Sequence, residues 1–211
     1  MDSNHLMLLI LVAGAGFYIF IQHTKRKKAV KSPQKPLVIQ NVQAGGVISL
    51  RGVGPDLEDL DATILGRHTY DQDGYQWFEL EGDVGSRKLW ISVDEDDELE
   101  VALTLRKEPL SCLDVDEAGL QAIKQAKQGS VTFESQPFTF VETGQATFFR
   151  HGDRLPPNGE DFEYWEFHSA DRQSGITVEQ WGESGNIECH IYQILKASQY
   201  TVYALEGSDQ L

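Results

Sequence analysis

The sequence predicts an all-β, mainly antiparallel cytoplasmic domain made of two related β units with one connecting helix, preceded by a single N-terminal transmembrane helix. Three observations carry this: apolar residues alternate with period two from Val47 onward, one segment recurs in related form, and an uncharged apolar run near the N-terminus is followed by basic residues. The chain has 211 residues with 18 Lys+Arg against 33 Asp+Glu, a formal charge of -15 that argues against a nucleic-acid partner. Its 40% hydrophobic content is enough to build a core.

Taken in order, residues 1–5 form a short tail. Leu6 to Gln22 reads LMLLILVAGAGFYIFIQ, sixteen uncharged residues closed by a glutamine, near the short end of a span for a bilayer core of about 30 Å. Lys25, Arg26, Lys27, Lys28, Lys31 and Lys35 follow it, whereas only Asp2 and His5 precede it. The positive-inside rule then puts the N-terminus outside and the domain in the cytoplasm. Ala13-Gly14-Ala15 offers a signal-peptide cleavage pattern, but no basic segment precedes the run and apolar residues continue beyond it, so an anchor is the expectation. Residues 23–36 carry six basic and no acidic residues and contain Pro33 and Pro36, which reads as a linker. Residues 37–211 then hold 12 basic and 32 acidic residues, a net charge of -20.

The β domain is expected over 37–205, with units at about 47–105 and 130–195. Leu89-Ile91-Val93, Leu99-Val101-Leu103-Leu105 and Ile187-Cys189-Ile191 are the clearest strands, and Asp73-Gly74 is a type I′ hairpin signal. The segment Ala62-Thr63-Ile64-Leu65 with Arg67-His68, Gly74 and Trp77-Phe78-Glu79-Leu80 reappears as Ala146-Thr147-Phe148-Phe149-Arg150-His151, Gly159 and Tyr164-Trp165-Glu166-Phe167. Between the units a helix is expected over about 116–128, with Asp116 as N-cap and Gly129 as terminator. A last strand is expected from Tyr200 to Leu205, and residues 206–211 should fray.

No constellation compels a chemistry. His68 and His151, each after an arginine, read as solvent-facing strand-end residues with no metal-ligand spacing around them. Asp71-Gln72-Asp73-Gly74 resembles a calcium-loop fragment, but Leu80 stands where the terminal glutamate is required. Asp94-Glu95-Asp96-Asp97-Glu98 reads as a solvated hairpin turn, and Cys112 and Cys189 as unpaired thiols, Cys189 buried. Glu79 and Glu166, beside Trp77 and Trp165, could act as acid and base, but ion pairing to Arg67 and Arg150 in separate units is the simpler use. No catalytic residue, cofactor or metal ligand is therefore assigned. Trp77, Glu79, Trp90, Trp165, Glu166 and Trp181 are the candidate interaction or structural positions.

Gly74-Tyr75-x-Trp77-x-Glu79-Leu80 followed by Leu89-Trp90-Ile91-Ser92-Val93-Asp94 resembles the bacterial domain of unknown function 4178, whose pattern is an aspartate-glycine turn, an aromatic-rich strand and a tryptophan-containing strand before an acidic turn. The resemblance runs from Val47 to about Leu205 and is looser in the second unit. It implies an uncharacterised bacterial domain, often encoded near phage-shock protein A-like membrane-stress proteins and polyamine-biosynthesis enzymes, and supplies no catalytic residue. It agrees with the separate topology argument, which puts the domain at the inner face of a bacterial inner membrane. The first expectation is accordingly a membrane-anchored, non-enzymatic interaction scaffold with a protein partner, a phage-shock protein A-like one being the candidate. The alternative is a sensor of polyamines or divalent cations, and the last a carboxylate-based hydrolase.

Overall fold

The computed structural model describes residues 36–152, 159–182 and 185–206. The expected span at 6–22, most of the basic linker at 23–36 and the tail beyond Glu206 lie outside the described residues. Among the described residues no helix is long and apolar enough to cross a membrane.

Eleven strands are described: β1 (Gly45–Val53), β2 (Glu58–Gln72), β3 (Tyr75–Asp83), β4 (Lys88–Glu95), β5 (Leu99–Pro109), β6 (Ser130–Phe133), β7 (Gln136–Phe149), β8 (Glu160–His168), β9 (Ser174–Trp181), β10 (Asn186–Ile194) and β11 (Tyr200–Glu206). One helix, α1 (Glu117–Ala126), separates β5 from β6. The domain is thus mainly antiparallel and all-β with a single short helix. The Asp73-Gly74 hairpin forms as its sequence demands, with φ of 54° and 93°.

The strands lie in the order β11-β1-β2-β3-β4-β5-β10-β9-β8-β7-β6, and β2 also pairs with β7. That second pairing, Thr69 to Asp71 against Phe149 to Thr147, closes β2-β3-β4-β5-β10-β9-β8-β7 into an eight-stranded antiparallel barrel. A barrel of this size has an interior that side chains or one small ligand can fill. Each half is a four-stranded meander, β2 to β5 and β7 to β10. They meet at β5–β10 on one side and β2–β7 on the other. Opposite Glu79 on β3 lies Ser92 of β4, and opposite Glu166 on β8 lies Thr177 of β9.

The apolar phase of each meander faces away from the barrel's interior and is covered from outside. Ile64, Leu80, Ile91, Val93, Val101 and Leu103 pack with Ile48 and Leu50 of β1, Val202 of β11 and Ile39 and Val42 just before β1. Trp165, Phe167, Ile176, Val178, Cys189 and Ile191 pack beneath α1 and β6. Each large side chain so buried contributes about 1.5–3 kcal/mol. Trp165 pins the helix by donating its indole Nε1–H to the carbonyl of Leu120 at 3.1 Å. Asp116 caps α1 by accepting from the Gly119 amide at 2.8 Å. The C-terminal left-handed residue is Lys127, with φ 51°, so Gly129 does not terminate the helix but leads into β6.

His151 is exposed just past the end of β7, as expected, but His68 is not. His68 is fully buried on β2, and His151, in the 3-10 turn after β7, donates its backbone N–H to His68 Nδ1 at 3.0 Å. Nδ1 is therefore the bare nitrogen, and Nε2 carries the proton towards Glu81 Oε2 at 3.4 Å. Lys88 Nζ holds the other Glu81 oxygen at 2.5 Å. Nor are the two histidines ladder equivalents: His68 sits opposite Glu79 in the first meander, where Glu142 sits opposite Glu166 in the second. Burial lowers the His68 pKa from 6.5, so its neutral form is the one the seam holds.

Two outcomes follow from this packing. Replacing Trp165 by Ala should cost about 3–5 kcal/mol in urea unfolding, because it opens a cavity and releases α1. For His68 the folded pKa lies below the unfolded one, so its contribution is complete above about pH 6.5 and is lost as pH falls through the folded value. Thermal midpoints of the wild type should drop more steeply between pH 7 and pH 5 than those of His68→Gln. Parallel pH profiles would show that His68 does not hold the seam.

Candidate functional site

The inward phase of all eight barrel strands encloses a cavity of about 430 Å³. Of its twenty lining residues eight are acidic, six are aromatic and none is Lys or Arg, so the cavity carries a negative potential inside an aromatic wall. The period-two alternation decides this. On β3, Phe78 and Leu80 join the outer core while Tyr75, Trp77 and Glu79 point inward. On β8, Trp165 and Phe167 face the core while Tyr164 and Glu166 line the cavity.

Four tyrosines each donate a hydroxyl to a lining carboxylate. Tyr70 reaches Glu79 at 3.0 Å, Tyr164 reaches Glu142 at 3.0 Å and Tyr192 reaches Glu166 at 2.6 Å, and Tyr75 bonds Asp94. Burial and the adjacent carboxylates raise all four phenol pKa values, which keeps the hydroxyls protonated as donors. Two glycines make room for the rings. A Cβ at Gly175 would lie 2.2 Å from the Tyr192 ring, and one at Gly144 would lie 2.8 Å from that of Tyr164.

The carboxylates differ in character along the cavity. Burial raises the pKa of Glu79, and Lys107 and the Tyr70 hydroxyl only partly oppose it. Glu179, on β9, is pushed up to about 8 by burial and by the charge of Glu79. Its Oε2 accepts the Trp181 indole N–H at 3.1 Å and its Oε1 lies 3.5 Å from His190 Nδ1. Burial and Lys107 lower the His190 pKa, so that contact joins a neutral imidazole to the carboxyl. Burial also raises Asp94 and Glu100, towards the Asp94–Glu98 turn. Burial opposes ionisation of Glu166 too, but bonds from His168 and Tyr192 outweigh it and leave this pKa lowered.

Of the candidate positions, Trp77, Glu79 and Glu166 line this one cavity. Trp181 adjoins it, stacked on Phe162 at 4.6 Å with its N–H on Glu179. Trp90 is half-buried with Lys107 Nζ 4.7 Å from its ring centroid. Trp165 belongs to the outer core at 1% exposure and has no part in the site. The expected arginine pairs do not form: Arg67 donates to the carbonyls of Gln40 and Val42 and lies over the Phe78 ring, and Arg150 lies near Phe148. Glu79 and Glu166 are instead held by tyrosines in a shared interior. Within the acidic run, Glu95 to Glu98 are exposed as a solvated turn and Asp94 is half-buried; Asp94 and the exposed Asp96 also line the cavity. Tyr70, Glu142, Glu179 and Tyr192 were not singled out from the sequence. The signal for Glu179 was a charged residue in phase opposite Ile176 and Val178 on a strand otherwise reading as buried.

Among the described residues no group of three or more His, Cys, Asp or Glu is arranged to hold a metal ion. Cys189 is buried, and its thiol is pushed up to about 12 by burial and by neighbouring Cys112. Asp71 caps the 73–74 turn through the Gly74 amide at 3.1 Å.

A family model described as a domain of unknown function (DUF4178) matches residues 56–191, which takes in both meanders up to β10. The chain belongs to this family. It is also 27% identical over 214 residues to uncharacterized proteins of Mycobacterium bovis and of two strains of Mycobacterium tuberculosis, with 93% of this chain and 95% of each relative covered. No solved structure gives a significant match.

The Tyr70–Glu79 bond gives a direct test of the cavity wall. Tyr70→Phe keeps the ring stacked on Trp77 but removes the donor. It should lose about 1.5–3 kcal/mol in urea unfolding at pH 8, the range for a hydrogen bond to a charged group. The loss should shrink towards acid pH as Glu79 takes up a proton. A pH-independent loss would mean that the two groups are not coupled.

Proposed function

We propose that the barrel is the receptor of an organic polycation of the polyamine class, bound in its interior. The observation that carries this reading is the pairing of an aromatic wall with carboxylates that tyrosine hydroxyls hold in place, in a cavity lined by no Lys or Arg. An alkylammonium group donates up to three hydrogen bonds to carboxylates, and its neighbouring methylenes pack on aromatic faces. A divalent metal needs six or more oxygens converging on one point, whereas these carboxylates are spread over separate strands and give part of their acceptor capacity to tyrosines. The ligand alternative therefore has more support than a recruitment scaffold. Trp77 and Trp165, which a partner face would need outside, turn into the cavity and the outer core, and the half-buried Trp181 packs on Phe148 and Phe162.

We further place this receptor on the cytoplasmic side of a bacterial inner membrane, tethered by residues 6–22. The support is the apolar run followed by six basic residues, and the net charge of -20 on residues 37–211, which anionic lipid repels. The two meanders are read as related units on the matched Glu79–Ser92 and Glu166–Thr177 registers.

The test is a thermal melt of the full chain in an uncharged detergent with spermidine. Ligand at about 100 times its dissociation constant adds about 2.7 kcal/mol, which for a domain of this size raises the midpoint by roughly 5–10 °C. Trp77→Ala and Glu166→Gln should each reduce the shift. No shift at millimolar spermidine, or an equal shift with magnesium chloride at matched ionic strength, would remove the reading.

A further inference from the structure

The innermost carboxylates of the cavity come from opposite meanders, Glu79 from β3 and Glu179 from β9. Both are more than nine-tenths buried, at 8% and 6% exposure. Each has one neutral donor on its Oε2: the Tyr70 hydroxyl at 3.0 Å for Glu79 and the Trp181 indole at 3.1 Å for Glu179. Among the described residues Glu79 Oε1 has no hydrogen-bond partner, while Glu179 Oε1 meets His190 at 3.5 Å.

The surrounding charges do not balance the pair. Tyr70 faces it from β2, Glu81 adjoins Glu79 on β3, Asp94 and Ser92 lie on β4, and the exposed Lys107 of β5, its ammonium over the Trp90 ring, acts on it through its charge. On the other side are Glu142 of β7, Tyr164 and Glu166 of β8, and Glu188 and His190 of β10. Arg150, after β7, acts on Tyr70 from a distance. Glu81 is matched by Lys88, and Glu166 by His168 and Tyr192. Lys107 is then the one lysine acting on both Glu79 and Glu179. Two carboxylates more than nine-tenths buried, with one exposed lysine acting on both and no Lys or Arg in the cavity wall, leave a negative charge without a counter-ion inside the protein, and burial disfavours such a charge.

We propose that the empty cavity resolves this by holding a proton on the Glu79–Glu179 pair, and that an incoming alkylammonium group replaces it, the proton leaving to solvent through the cavity mouth. Binding is thus an exchange of one cation for another, resting on the organic-cation reading above. The upward displacement of both carboxyl groups agrees with it, Glu179 reaching about 8. Neutral to alkaline conditions favour the loaded barrel and acid empties it. With one proton released per ligand, affinity rises by up to tenfold per pH unit below the pKa of the pair. Spermidine stays fully charged enough over pH 6–8 that the ligand itself does not set this slope.

The experiment is isothermal titration of the full chain in uncharged detergent with spermidine at pH 7, in MOPS and in imidazole, two buffers with different ionisation enthalpies. The apparent enthalpies should differ by the amount that corresponds to about one proton released per spermidine, and affinity should rise at least tenfold from pH 6 to pH 8. In Glu179→Gln, which keeps the acceptor for Trp181, proton release should fall by half or more and the pH slope should flatten. Binding with equal enthalpy in both buffers overturns the exchange and leaves the polycation reading standing. Absence of any binding heat together with no thermal shift overturns both. The wild-type proton count decides the matter even if Glu179→Gln does not fold.

Discussion

The architecture depends on β2 belonging to two sheets at once. Its first half, Leu60 to Thr63, pairs with β1 above an apolar core, and its second half, Thr69 to Asp71, pairs with β7 and closes the barrel. A single straight strand cannot serve both directions. The ladder to β3 accordingly shifts register between Ile64 and Gly66, and such a bulge bends and twists its strand. Gly66 sits where the seam is tightest, since a Cβ there would meet His151 Nδ1 at 3.0 Å and His68 Cε1 at 3.2 Å. Closure removes the free edges that β2 and β7 would otherwise present, and turns the polar phase of eight strands towards one interior.

That inversion explains how the domain tolerates so much buried charge. In a small barrel with an apolar filling, stability comes from the inside. Here the two larger cores lie outside the ring, one beneath β1 and β11 and one beneath α1 and β6, and a smaller cluster of Tyr70, Phe148, Phe162 and Tyr164 with Trp77 and Trp181 flanks the cavity. The interior is then only partly filled, by that aromatic cluster, and carries carboxylates whose desolvation disfavours folding. Tyrosine hydroxyls, the Trp181 indole and His168 recover part of that cost by bonding the ionised oxygens. Local destabilisation tolerated because the surroundings over-determine the fold is the usual mark of a functional interior.

The strands, the hairpin at 73–74 and the N-cap of the helix were legible because each is set by neighbours in sequence. Alternation at Leu89-Ile91-Val93 or Ile187-Cys189-Ile191 fixes which residues share a face. It does not say whether the opposite face meets water or another strand's face. Glu79 and Glu166 could therefore be noticed as matching carboxylates but were assigned to arginines in separate units. Their true partners, Tyr70 and Tyr192, are set by ladder registers, and the common cavity by the β5–β10 and β2–β7 seams. His68 illustrates the same limit. Its partner His151 lies 83 positions away and joins it only because the ring closes there.

The place of β11 carries a consequence for how the domain is made. The first strand, β1, pairs with β2 on one side and with the last strand on the other, through Val47–Ala204 and Leu50–Tyr200 among others. Chain synthesis runs from β1 to β11, so the outer core of the first meander stays partly uncovered until β11 has been made. Contacts of such high sequence separation close slowly. During that interval β1 offers an unpaired hydrogen-bonding edge beside exposed apolar residues, the condition under which nascent β proteins associate wrongly. The barrel seams β2–β7 and β5–β10 involve only strands made before β11, so it is the outer core of the first meander, not the ring, that the strand beside β1 seals last.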